Sequence, residues 1–148
     1  MKKKGIVLFA FLVLYMRISG QDTEHEQKVE ALLNNFMNAL LIADENVSAK
    51  EVMKYTHSSL HNANGTDLSD DLRRFSFKKA HENAKLYHVP VKIVKIRKTS
   101  SGALGSDKGD FYEYYISKKN ADSGLPSPIR IFISQSGGEP KITYMGGL

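Results

Sequence analysis

Two period-two runs at the C-terminal end constrain this chain more than any other feature. Ile129, Ile131 and Ile133 alternate with Arg130, Phe132 and Ser134. After a Ser136-Gly137-Gly138-Glu139 turn, Ile142 and Tyr144 alternate with Lys141, Thr143 and Met145. A period of two places each set on one face of a strand. Gly-Gly between the runs supplies the positive φ angles of a tight hairpin turn. Residues 89–98 and 111–117 have the same character and complete an antiparallel sheet. The apolar face of such a sheet needs a cover, and the first half of the chain is helical.

The cover begins with Val29, Leu32, Leu33, Phe36, Met37, Leu40 and Leu41, which recur at the three- and four-residue steps of a helix buried on one side. Residues 21–27 read as a polar lead-in, and Glu24, Glu26 and Glu30 put negative charge where the helix dipole favours it. Asp44-Glu45-Asn46 ends this helix. Ser48-Ala49-Lys50-Glu51 has the form of a capping box, so a short helix through Val52, Met53 and Tyr55 follows. Residues 57–66 (HSSLHNANGT) are turn-rich, with Asn64-Gly65 the clearest signal. A third helix, capped by Asp67 or Ser69, runs to about Leu86 with Leu68, Leu72, Phe75, Ala80 and Ala84 as its apolar positions.

In the run 89–98, Val94 and Ile96 fall out of phase with Val91 and Ile93, which requires a bulge or partial cover of both faces. Pro90 cannot donate to a ladder and belongs at an edge or bulge. Residues 99–110 (TSSGALGSDKGD) read as a long polar connection. The next strand has two competing faces, Tyr112/Tyr114/Ile116 and Phe111/Glu113/Tyr115, and residues 118–128 form a second polar link.

A length of 148 residues suits one domain, and the lack of cysteine excludes disulfides and thiolate metal sites. The net charge of +5 is concentrated at the front: Lys2, Lys3, Lys4 and Arg17 stand in the first twenty residues, which hold no acid. The 21 bases less these four leave 17 against 16 acids, so the basicity does not argue for nucleic acid as a partner. Residues 5–16 are an apolar run, shorter than the ~20 residues that span a bilayer. Residues 1–20 therefore read as a signal peptide and 21–148 as one mature domain, secreted or periplasmic, with the lysine-rich start leaning towards a bacterial host. Ile18 stands where signal peptidases prefer a small residue, so an uncleaved anchor is the alternative, and the membrane would be a partner only through it.

Three helices followed by four antiparallel strands resemble the NTF2-like superfamily of cone-shaped α+β domains. The resemblance is carried by VEALLNNFMNALL, by EVMKY, by the passage ending in VPVKIVKI, and by the terminal pair PIRIFISQSGGEPKITYMGGL. It implies a curved four-stranded sheet around a pocket mouthed by the helices, in a superfamily that holds isomerases, dehydratases and non-catalytic accessory domains. Its isomerases place a hydrogen-bonding tyrosine on the first helix, where this chain has Phe36 and Met37.

His57 and His61 have the spacing of two ligands on one helical face, but Ser58 follows the first histidine where a zincin needs Glu, and the stretch is turn-rich, so no metal site is assigned. Asp70 and Asp71 suit a helix start. No phosphate-cradling or dinucleotide glycine motif is present and no cofactor is implied. Tyr55, Tyr87, Tyr112 and Tyr114, with His57, His81 and Glu113, are the residues that would line a pocket for a modest apolar ligand. The same aromatics also serve as ordinary cross-strand packing. Asn46-Val47-Ser48 and Asn64-Gly65-Thr66 are glycosylation sequons for a eukaryotic host.

The sequence thus leads to a non-catalytic exported domain that binds a small ligand or protein partner. The alternatives are a cofactor-free isomerase or dehydratase using His57, His81 or Glu113 as acid or base, and a homodimer module. Expressed in a secreting host, the exported protein should begin at Gln21 on N-terminal sequencing; recovery of intact Met1 in the membrane fraction would establish the anchor instead.

Overall fold

The structure is a computed structural model that describes residues 24–120, 127–146 and 148. It is α+β, with three helices and a four-stranded antiparallel sheet that does not close on itself. Helix α1 covers 24–40, α2 is Glu45–Met53 and α3 covers 70–86. The strands are β1 (Ile93–Leu104), β2 (Asp107–Ile116), β3 (Pro128–Ser134) and β4 (Lys141–Tyr144), in the spatial order β1-β2-β3-β4.

Helix α1 lays Val29, Leu32, Leu33, Phe36, Met37 and Leu40 into the core, but it ends at residue 40, so Leu41, expected in the same stripe, is exposed and Asp44-Glu45-Asn46 begins the next helix instead of ending this one. Helix α1 is already formed at residues 24–27, part of the stretch read as a lead-in. The cap of α2 differs from the sequence expectation. Asp44 Oδ1 accepts the amides of Asn46 and Val47, both at 2.9 Å, so the N-cap is Asp44 rather than Ser48 and the helix starts four residues earlier than the capping box implied. Ser48 is buried inside α2, and its hydroxyl donates to the Ala39 carbonyl at 2.8 Å, which fastens α2 to the end of α1.

Helix α3 carries the largest change of phase. It is α-helical over Asp70–Leu72, widens to a π turn over Arg73–Phe77, and resumes as an α-helix over Lys78–Asn83. A π turn accommodates one extra residue, so the step from Leu72 to the next inward position is five and lands on Phe77. Phe77, Ala80 and Ala84 are fully buried, whereas Phe75, expected in the stripe, is 70% exposed. Arg73 holds this arrangement in place. It donates to the Glu45 carbonyl at 3.0 Å and to Asn46 Oδ1 at 2.6 Å, and its guanidinium lies over the Phe77 ring at 4.8 Å.

The strands also depart from the simple reading. Residues 99–110 are not a connection: β1 and β2 run through them, joined by a two-residue turn at Gly105 (φ +65°) and Ser106. Polar residues suit this ribbon because it is largely exposed. Strand β1 begins at Ile93, after Pro90, and the register shifts at Val94 and again at Thr99, so the expected irregularity is present. Gly109 lies beneath the ring of Phe132, and a Cβ there would meet that ring at 2.6 Å and collide with the Ile133 carbonyl. In β4 the register shifts between Arg130/Tyr144 and Ile131/Ile142, leaving Thr143 as a bulge. Ile142 therefore points to the core and Tyr144, expected on the same face, is 45% exposed on the other.

The segment after α2 covers the free side of β4. The Ile142 amide donates to the Tyr55 carbonyl at 3.0 Å, and the His57 amide donates to the Ile142 carbonyl at 2.8 Å. Truncating Phe77 to alanine should cost ~3–5 kcal/mol of unfolding free energy, whereas Phe75→Ala should stay within ~0.5 kcal/mol. Urea denaturation monitored by circular dichroism checks the pair, and the reverse order would place Phe75 in the core.

Candidate functional site

Alternation along β2 separates the sequence candidates at once. Tyr112, Tyr114 and Ile116 face the helices, while Phe111, Glu113 and Tyr115 face away from them. Tyr87 and Tyr114 are buried in the same core cluster as Phe36, Met37 and Phe77. Burial, with smaller contributions from Tyr112 and Glu26, pushes the Tyr114 phenol up to about 12. Burial also raises the Tyr87 phenol, against a weaker opposing effect of the Ser127 backbone. Tyr112 is half-buried, its ring 6.4 Å from that of Tyr114, and it lines a cleft of about 550 Å³ with His25, Asp110, Ile133 and Ser136.

Glu113 occupies the centre of the opposite face, and its side chain is nearly buried. Arg97 from β1 donates to its Oε2 through Nε at 3.1 Å and Nη2 at 2.5 Å. Arg130 from β3 donates to Oε1 at 3.2 Å, and the Tyr115 hydroxyl donates to Oε2 at 3.1 Å. The Arg97 hydrogen bond above all, with those of Arg130 and Tyr115, holds the carboxyl below the usual glutamate range against the opposing effect of burial. Lys95 lies over the Tyr115 ring at 5.2 Å and the Arg130 guanidinium over the Tyr144 ring at 5.6 Å. The face is a charge-paired lattice in which every oxygen of Glu113 is already engaged.

The remaining candidates stand elsewhere. Tyr55 sits where the chain clasps β4, and its hydroxyl donates to Glu51 at 3.4 Å. His57 caps the short turn Ser58–Leu60 by accepting the Ser59 amide at 3.1 Å. His61 Nε2 lies 2.9 Å from the Thr56 hydroxyl, and burial, aided by electrostatic effects of His57 and Lys141 and opposed by a Met53 backbone hydrogen bond, lowers its pKa. His81 stacks on the Phe77 ring with centroids 5.7 Å apart. The seven residues thus distribute over both faces of the sheet, its β4 margin and α3. Among the described residues no group of three or more histidine, aspartate and glutamate side chains is placed to hold a metal ion.

Sequence reasoning passed over a second cleft, of about 400 Å³, between α3 and the end of β4. Phe75 and Tyr144 line it with Arg74, Lys78, Lys79 and Glu82. Periodicity puts Phe75 in the apolar stripe of the third helix and Tyr144 on the same strand face as Ile142, and one inserted residue in each element moves both to the cleft. The partners of Glu113 were not read from the sequence either: Arg130 lies in a run whose alternation is legible, but Arg97 follows the register shift at Val94, and both come from strands distant in sequence.

The geometry defines an open α+β sheet covered by helices on one side and by a charged, aromatic lattice on the other. The chain matches no protein-family model, no curated protein and no solved structure. Among the described residues no helix is long and apolar enough to cross a membrane.

A depressed carboxyl pKa means that the folded state binds its proton less readily than the unfolded state, so its stabilising effect is present above the ordinary glutamate range and fades as pH falls below it. Glu113→Gln should cost about 1–2 kcal/mol at pH 7, where the half-exposed arginines screen the pair. It should also flatten the acid limb of the stability curve. Denaturation midpoints measured from pH 7 down to pH 3 check both, and parallel curves for the two proteins would refute the assignment.

Proposed function

We propose that this chain is an exported, non-catalytic binding domain of NTF2-like architecture whose ligand is a protein partner. The observation that carries the reading is the dispersal of the titratable candidates. Acid–base catalysis needs a group of tuned pKa within hydrogen-bond reach of a substrate in one pocket. Glu113 is instead saturated by two arginines and a tyrosine on the face away from the helices, while His81, Tyr87 and Tyr114 belong to the helical side. The order of three helices and four antiparallel strands supports the superfamily likeness. Export is supported by the basic start and short apolar run of residues 1–20.

A small-molecule ligand is the second reading, favoured by the cleft beside Tyr112, whose volume of about 550 Å³ lies in the range of small-molecule sites and whose lining mixes Tyr112 and Ile133 with His25, Asp110 and Ser136. Peptide display on the purified protein, followed by amide chemical-shift mapping, separates the two. Selected peptides should shift surface resonances and leave Tyr87 and Tyr114 unmoved, and His81→Ala should change their affinity less than ~2-fold. Absence of any peptide binder, together with small molecules that shift Tyr112 and Tyr114, would overturn the protein-partner reading in favour of the second.

A further inference from the structure

We propose that the cleft between α3 and β4 docks an acidic peptide segment of a partner protein, anchored by one aromatic or branched aliphatic side chain between Phe75 and Tyr144. The inference rests on the binding-domain reading and specifies its site and the chemistry of its partner. Two independent irregularities of the backbone create the display. The π turn of α3 inserts one residue and turns Phe75 out, and the Thr143 bulge of β4 inserts one residue and turns Tyr144 out. Both aromatics line the same cleft. Single-turn π bulges and β-bulges recur at functional sites because each re-aims a side chain without disturbing the rest of its element.

The exposure of Phe75 is held in place by the surrounding packing. Arg73 is pinned to the Glu45 carbonyl and Asn46, and Phe77 fills the core position that Phe75 would otherwise take. Among the described residues, nothing buries the ring: 70% of Phe75 and 45% of Tyr144 remain exposed. Tyr144 is steadied from behind by the Arg130 guanidinium.

Charge selects the occupant. Arg74, Lys78 and Lys79 line the cleft against the single carboxylate of Glu82, and none of the three cations forms an ion pair with a described residue. Unpaired cations beside exposed aromatics suit carboxylates flanking an apolar anchor, with guanidinium and ammonium groups as charge-assisted donors. The recess admits a projecting side chain, which a flat membrane surface does not supply.

The test uses a fluorescein-labelled peptide of alternating glutamate and leucine or phenylalanine, its lysine-for-glutamate counterpart, and phosphatidylglycerol vesicles. Anisotropy titration of the purified protein should show binding of the acidic peptide that weakens as salt rises. Phe75→Ser, an exposed substitution that keeps the fold, should weaken it at least ~10-fold, as should Lys78→Glu with Lys79→Glu, at unchanged melting temperature. Equal binding of the two peptides, or full binding to Phe75→Ser, would overturn the site and leave the binding-domain reading standing if displayed peptides map elsewhere. Binding to vesicles with none to the peptide would overturn it in favour of a membrane surface, and no binding to either would overturn it outright.

Discussion

Among the described residues, three helices cover one face of a four-stranded sheet, and the other face carries only its own side chains. That one-sided cover governs the whole arrangement. On the helical side the demand is for apolar volume, met by Phe36, Phe77, Tyr87 and the isoleucines of β2, β3 and β4. On the open side a hydrophobic surface would aggregate, and a sparse polar one would leave the central strands unprotected. The solution is a buried carboxylate between two arginines, with aromatic rings beneath the cations. An ion pair so placed stabilises modestly, because the arginines stay half in water, but it fixes the lateral positions of β1, β2 and β3 relative to one another.

The helices are tied to this sheet at a few defined points. Asn34 on α1 accepts the Val91 amide at 2.7 Å, which sets where the chain enters β1. Asn83 on α3 donates to the Leu148 carbonyl at 2.8 Å, which holds the C-terminal end beneath α3. Lys28 on α1 bridges Glu24 at 3.0 Å and Glu139 at 3.7 Å, beside the turn that leads into β4. The cleft between α3 and β4 is therefore framed by elements whose relative placement is fixed from both ends.

The sequence was most legible where one period held for several turns. Val29 to Leu40 lie where periodicity puts them because one face of the helix is buried along its length, and Ile129, Ile131 and the half-buried Ile133 keep to the core side of β3 although Phe132 and Ser134 are buried on the other. It was least legible where one residue is inserted. The loose stripe Leu72, Phe75, Ala80 already contained a five-residue step. Tertiary packing sets that step at Leu72 to Phe77, where Arg73 can reach α2, and no local propensity reports such a contact. Tyr144 was misplaced for the same reason, by a bulge that only the pairing with β3 reveals. The ribbon of 99–110 was missed because its strands are stabilised by each other rather than by a core, so apolar alternation is absent. Ser48 was misread through a motif whose hydroxyl serves a neighbouring helix. The carboxylate at the centre of the open face was recognised as out of phase with the tyrosines, but its cationic partners come from strands far apart in sequence.

The clasp of residues 55–57 over β4 has a counterpart at the other margin, where β1 carries two bulges and the cations Lys95, Arg97 and Lys98. An unguarded strand is a template on which other chains can stack, and each of these devices makes that stacking unfavourable. Growth of the sheet by strand addition, the first step towards fibrillar assembly, is thus opposed at both ends. What this molecule offers to other chains is its side-chain relief rather than its peptide groups.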